Sequence, residues 1–299
     1  MQKYTNKSPI LNSYWHYDAL QLKLPYGRGI LFLGNLQIDF NKIGYFSFQH
    51  IVSLIAIFLL VPLALFLTYR FFPKSINLQL KILCVSAWIA EIIKIIVTYY
   101  VGNFTWKTIL PIYFCSMFLY SSLLAAFCKN HALRLIGNSC LMAGTIAGFF
   151  GVFYSPALKY YPVYTYLGAH TLIYHAVMIY GGIMILFDNY YKPRLKDILY
   201  STILFATLTG AAIIANSFLD ANYMFINTPL VGAPTYIIVD IFTEHLYPVI
   251  VILGQTLLPF LIMLGLYKLI TLKQNKRAPK KAINQDIIEQ NIEQVHIEN

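Results

Sequence analysis

Cys115 and His175 are the side chains of this 299-residue chain whose types and positions offer nucleophilic chemistry. A cysteine attacks as its thiolate, so it needs a base or a cation nearby to shed its proton. Histidine is the side chain whose ordinary titration range suits that transfer. Both residues fall in long apolar stretches, where polar groups are expensive and tend to mark function. Each also has a plainer reading: a free cysteine is a small hydrophobe in most cores, and a lone buried histidine often serves packing. Glu91 and Lys94 stand three apart, close enough on one helix to neutralise each other. Alternatively they form a polar wall beside a reaction centre, or a step in an ion path.

Helical spacing gives His175 its surroundings. Tyr164, Gly168, Thr171, His175, Met178 and Gly182 fall on one helix face. A face mixing small and polar side chains packs closely and can line a cavity. His170 is five residues earlier and about 140° around the helix, so it faces elsewhere. Cys84, Cys128 and Cys140 read as core residues, and no pair of cysteines has the spacing of a zinc ribbon or a disulfide framework. His16, His50, His131 and His296 are scattered, and the neighbours Glu244 and His245 point about 100° apart on a helix. No phosphate loop, zinc-protease motif, nucleophile elbow or acidic metal loop is present. The residues call for no metal, cofactor or nucleotide.

These groups must be positioned by membrane-spanning helices. Hydrophobic residues make up 58% of the chain and charged residues 11%, with a mean hydropathy of +0.61. Soluble domains carry about 25% charged residues, so a soluble globule is excluded, as are a disordered chain and a conventional nucleic-acid binder. A crossing helix needs roughly 20 apolar residues. Windows at 47–69, 79–100, 108–128, 134–154, 165–187, 197–219 and 245–270 qualify. The expected fold is therefore all-α, a polytopic transmembrane bundle of about seven spans. Residues 1–46 form an extracytoplasmic or interfacial segment, 47–270 the helical domain and 271–299 a charged tail. The connection 220–244 carries Pro229, Gly232 and Pro234 and is expected to re-enter the membrane in part.

Basic residues orient the spans. Loops on the side of the tail hold thirteen Lys and Arg, against Lys107 and Lys159 on the other side. The positive-inside rule then puts the C-terminus in the cytoplasm and, with seven spans, the N-terminus outside the cell membrane. The net charge of +10 is read as topology, with no call for nucleic acid or an obligatory protein partner. At 1.5 Å per residue Cys115 lies roughly 10 Å deep and His175 roughly 15 Å, with Glu91 and Lys94 at similar depth. Polar groups from separate helices thus converge in the outer half.

At these positions the chain resembles a known family. Leu110-Pro111-Ile112-Tyr113-Phe114-Cys115-Ser116 is similar to the Leu-Pro-Leu-His-Leu-Cys-Ser motif of the bacterial YwaF-type integral membrane proteins, which belong with the animal transmembrane-protein-164 acyltransferases. Phe46-Ser47-Phe48-Gln49-His50, Glu91 and Tyr174-His175 also match. So does Asp220-Ala221-Asn222-Tyr223-Met224-Phe225 followed by Pro229. The likeness covers roughly 46–270. It implies a lipid acyltransferase that works on membrane phospholipids through an intramembrane Cys and His, here Cys115 and His175. Tyr113, Glu91, Lys94, Thr171, Asn222 and Tyr223 are then the supporting or substrate-binding residues. The chain departs from the motif at Tyr113, where the family has His. Two other readings stay open: a transporter or channel with Glu91, Lys94 and His175 on its path, and a non-enzymatic multi-pass protein.

Overall fold

The computed structural model describes residues 44–187, 190–229, 237, 238, 241, 243 and 245–297, with the side chains of 273–297 undescribed. By its packing the chain divides into Met1–Asp39 and Phe40–Asn299, and every described residue belongs to the second unit. Most of the expected segment 1–46 lies outside the described residues, as do Asp240 and Glu244.

Among the described residues all regular structure is helical: α1 (Phe48–Phe71), α2 (Ile76–Tyr100), α3 (Met117–Phe127), α4 (His131–Tyr154), α5 (Ala157–Tyr160), α6 (Tyr166–Met184), α7 (Ile198–Leu219) and α8 (Tyr247–Ile297). Five segments are long and apolar enough to cross a membrane: α1, α4 continued to Tyr160, α6, α7 with its preceding turn, and α8 as far as Leu272. The molecule is a multi-pass helical membrane protein. α2, with 25 residues, is within their range of lengths but carries Lys81, Glu91 and Lys94. α8 runs without a break past position 271, so the change there is one of composition.

The third expected span, 108–128, is not a continuous helix. α3 begins only at Met117 and has 11 residues, about 16 Å at 1.5 Å per residue. Pro111 has no N–H and disfavours helical backbone at Leu110, so residues 101–116 fold as successive turns. Their amides reach back by uneven steps of two to five residues, as in Ile112 N–H to Leu110 O (2.9 Å), Ser116 N–H to Tyr113 O (3.0 Å) and Asn103 N–H to Thr98 O (3.1 Å).

Side-chain caps mark several helix starts. Ser47 accepts from the amide of His50, Asn130 from those of Ala132 and Leu133, and Thr165 from that of Gly168. α4 is the central element, packed against α3, α6, α7 and α8, and its residues Ser139 to Met142 are sealed from the surroundings. Lipid tails are as apolar as leucine, so close packing must hold such helices together. Glycines permit it: a β-carbon on Gly148 would come within 2.8 Å of the His175 carbonyl, and one on Gly182 within 2.1 Å of Thr145 Oγ1.

α1 lies outermost, with Leu59, Leu60 and Phe66 exposed as a lipid-facing surface. Polar pins fix it at both ends. His50 Nε2 lies 2.7 Å from Val152 O while Nδ1 accepts from the Phe46 amide at 2.9 Å. A carbonyl can only accept, so Nε2 carries the proton. Both ring nitrogens of this histidine are therefore committed to structure. At the other end Thr68 Oγ1, Tyr180 Oη and Gln79 Oε1 meet in a triangle, two of whose three sides the two hydroxyl protons can bond at once, with Thr68 to Tyr180 at 2.7 Å.

Candidate functional site

Three tyrosine hydroxyls hold the irregular segment before α3 at four backbone groups along its length. Tyr223 donates to Trp106 O and accepts from the Leu110 amide at 3.1 Å. Tyr120 donates to Pro111 O at 3.0 Å, and Tyr174 to Cys115 O at 3.3 Å. Tyr223 and Tyr120 satisfy backbone groups that the missing helix leaves without a partner, a requirement that is strict inside a membrane. Tyr174 adds a second donor to Cys115 O beside the Phe118 amide. Burial pushes the Tyr223 phenol above its ordinary range, partly offset by the Leu110 amide; it stays protonated and able to donate. Cys115 is thus fixed at its backbone by α6. The residue is half-buried and stands two positions before the start of α3.

Tyr223 is itself clamped. Asn216, near the end of α7, accepts from the Tyr223 amide at 2.6 Å and donates to its carbonyl at 3.1 Å. Asp220, Met224 and Phe225 all have φ near +50°, a left-handed conformation that non-glycine residues rarely adopt. Gln255 from α8 donates to Met224 O at 3.0 Å, and Tyr247 to Phe225 O at 2.8 Å. Such over-determination is what keeps a strained turn in place. Tyr113 packs its ring on Tyr223 (4.9 Å between centroids) and Phe225 (5.9 Å). Asn222 bonds instead within its own loop, donating to Thr228 O and Oγ1 and accepting from the amides of Asn227 and Thr228. Tyr223 thus reaches the Cys115 segment, whereas the hydrogen bonds of Asn222 remain local.

His175 lies on α6 one residue beyond Tyr174 and is buried. Its Nδ1 is 2.6 Å from Thr171 O. The carbonyl fixes the tautomer: Nδ1 carries the proton and Nε2 keeps a lone pair. The ring rests on α4, where a β-carbon on Gly151 would fall 1.8 Å from Cδ2 and 2.1 Å from Nε2. Thr171 thus orients His175 through its backbone, while its hydroxyl pairs with Ser155 Oγ at 3.3 Å. Among the described residues no hydrogen bond joins Cys115 to His175. Tyr174 links them, through its bond to Cys115 O and an edge-to-face ring contact with His175 (5.8 Å).

Glu91 and Lys94 form a direct ion pair within α2. Glu91 also faces His170, whose Nε2 is 4.0 Å from its second oxygen. The His170 ring stacks on Tyr174 at 5.6 Å and 17°, and Tyr166 ties α6 to α2 through Ala90 O at 3.0 Å. Lys94 and Glu91 lie within electrostatic reach of the Cys115 thiol, and Lys94 within that of His175. The site therefore gathers Glu91, Lys94, Cys115, Thr171, Tyr174 and His175, with Tyr113 and Tyr223 behind the thiol segment. Spacing on α6 turned His170 away from the His175 face, and that other face is the one opposite Glu91. The one sequence signal for it is the step of four between His170 and Tyr174, which allows their rings to meet. Among the described residues no group of three or more His, Cys, Asp or Glu is arranged to hold a metal ion.

Comparison with known proteins adds one match: the model of the TMEM164 family fits residues 45–268. No curated protein and no solved structure matches the chain.

Proposed function

The chain belongs to the TMEM164 family, and from this premise we propose that it is a membrane lipid acyltransferase, of the bacterial YwaF type, that moves an acyl chain through a thioester on Cys115. In this reading His175 Nε2 takes the thiol proton, and the thiolate attacks the carbonyl carbon of a phospholipid ester. The C–O bond breaks, the lysophospholipid leaves with a proton from His175, and the acyl group remains on sulfur. A lysophospholipid hydroxyl then gives its proton to His175, attacks the thioester and takes the acyl group, and the proton returns to the thiol. The positive end of the α3 dipole lies beside Cys115, where negative charge would develop on the thiolate and the tetrahedral oxygen.

The observation that carries this reading is the built cysteine. Its segment leaves the helix, is held by tyrosine hydroxyls from α3, α6 and the turn after α7, and is connected through Tyr174 to a histidine whose tautomer leaves one nitrogen basic. A structural cysteine in a helix needs none of this. The proposed setting is the cell membrane, with the C-terminus cytoplasmic, seven crossings and a lipid substrate entering from the outer leaflet. Incubation of purified protein with acyl-labelled phospholipid tests the chemistry. A hydroxylamine-sensitive label absent from Cys115→Ala is the expected result, and a wild type that stays unlabelled across a broad lipid panel removes the proposal.

A second reading is a transporter or channel whose path is lined by Glu91, Lys94 and His175, with His170 beside Glu91. Flux through reconstituted vesicles that disappears in Glu91→Gln would favour it.

A further inference from the structure

Glu91 has one more partner than mutual neutralisation with Lys94 requires. Lys94 Nζ holds Oε1, and His170 Nε2 stands 4.0 Å from Oε2. That ring nitrogen is fully enclosed and has no hydrogen-bond partner. A buried polar atom left so is costly and calls for an explanation. The gap is about 1 Å longer than a hydrogen bond and too short for a bridging water, so a small shift of the carboxylate closes it.

The three side chains differ in freedom to move. Those of Glu91 and His170 are 6% and 8% exposed, and that of Lys94 is 26% exposed. His170 is also held between the rings of Tyr166 and Tyr174. Lys94 has a flexible stem and is the member able to swing away. When it does, Glu91 gains a donor in His170 Nε2–H, and the orphaned nitrogen gains its acceptor. The cluster is thus built with a second arrangement, in which the ammonium is released for another anion.

We propose that this anion is the phosphodiester of a phospholipid, and that Lys94 is its anchor while His170 takes over Glu91. The identity of the lipid as acyl donor rests on the acyl-transfer reading above. An ammonium is a compact point charge suited to phosphate oxygens. In a glycerophospholipid the phosphate and one acyl ester occupy adjacent glycerol carbons. A cation within electrostatic reach of the Cys115 thiol can therefore hold the first while the second meets sulfur.

Binding to Cys115→Ala protein in detergent tests this without turnover. Thermal unfolding is followed with short-chain phosphatidylcholine, with diacylglycerol of the same chains and with inorganic phosphate. Phosphatidylcholine is expected to bind at least about tenfold more tightly than diacylglycerol. Adding Lys94→Gln should abolish that preference and Lys94→Arg should retain it. Glu91→Gln with Lys94→Gln removes both charges at once, so it avoids leaving one buried and unpaired; this pair should also lose the preference. Equal binding of the two lipids, or a preference that survives loss of Lys94, overturns the proposal. Inorganic phosphate alone reproducing the full shift overturns the lipid source. The thioester assay on Cys115 fails or succeeds separately from this binding preference, so the two readings are distinguishable.

Discussion

His175 rests directly on the α-carbon of Gly151: a β-carbon there would stand 1.8 Å from the imidazole. Gly151 therefore shapes the slot that holds the ring against α4, while Thr171 O sets its tautomer.

Gly151→Ala must displace the imidazole, since even one methyl has no room. Acyl label on Cys115 is expected to fall at least about tenfold, the effect of losing about 1.4 kcal/mol of transition-state stabilisation. Gly144→Ala is the control. Its β-carbon would meet only methionine methyls at 3.9 and 4.0 Å, and labelling should stay near wild type.

Tyr174→Phe removes the donor to Cys115 O and keeps the ring stacked on His170. The loss of a hydrogen bond worth about 0.5–1.5 kcal/mol should loosen the thiol segment and lower kcat about three- to tenfold, with the unfolding temperature little changed. An unchanged kcat would show that the bond does not position the thiol.

Tyr223→Phe leaves the Trp106 carbonyl and the Leu110 amide without their shared partner. Burial of unpaired groups costs about 1–3 kcal/mol each, so a lower unfolding temperature is expected. Faster alkylation should accompany it at Cys115, measured with the other three cysteines replaced by serine.

Tyr180→Phe opens the triangle that pins α1 to α2 and α6. Stability should fall by about 1–3 kcal/mol while phospholipid labelling of Cys115 persists, because the triangle belongs to the other end of α1 from His50. Loss of labelling in a folded variant would contradict that separation.

The helices that cross the membrane were legible because a run of roughly 20 apolar residues has few other uses. The break before α3 was not. Leu110 to Phe118 is as apolar as a helix, and only Pro111 interrupts it. What stabilises the irregular path is hydroxyls from Tyr120, Tyr174 and Tyr223, the last of them 113 positions from its partner Leu110. Hydropathy sums local composition and carries nothing about such distant bonds. Cys115, His175, Glu91 and Lys94 stood out because polar groups are rare in apolar runs. The pairing of His170 with Glu91 did not, because it depends on how α6 is rotated against α2. Nor did the contact of Gly151 with His175, which depends on how α4 meets α6.

The clamps on the Cys115 segment arrive in chain order: Tyr120 first, then Tyr174, then Tyr223 with its supports from α7 and α8. Synthesis runs from the N-terminus, and chains of this size mature stepwise. The thiol is therefore made before Tyr120, Tyr174, His175 and Tyr223, though after Glu91 and Lys94. It gains its last backbone restraint only after about 100 further residues have been made. Until α6 is made, the segment lacks its bond from Tyr174 and its link to His175, while Glu91 and Lys94 are already present. A product truncated before the turn at Tyr223 would therefore carry Cys115 on a segment without its restraints at Trp106 and Leu110.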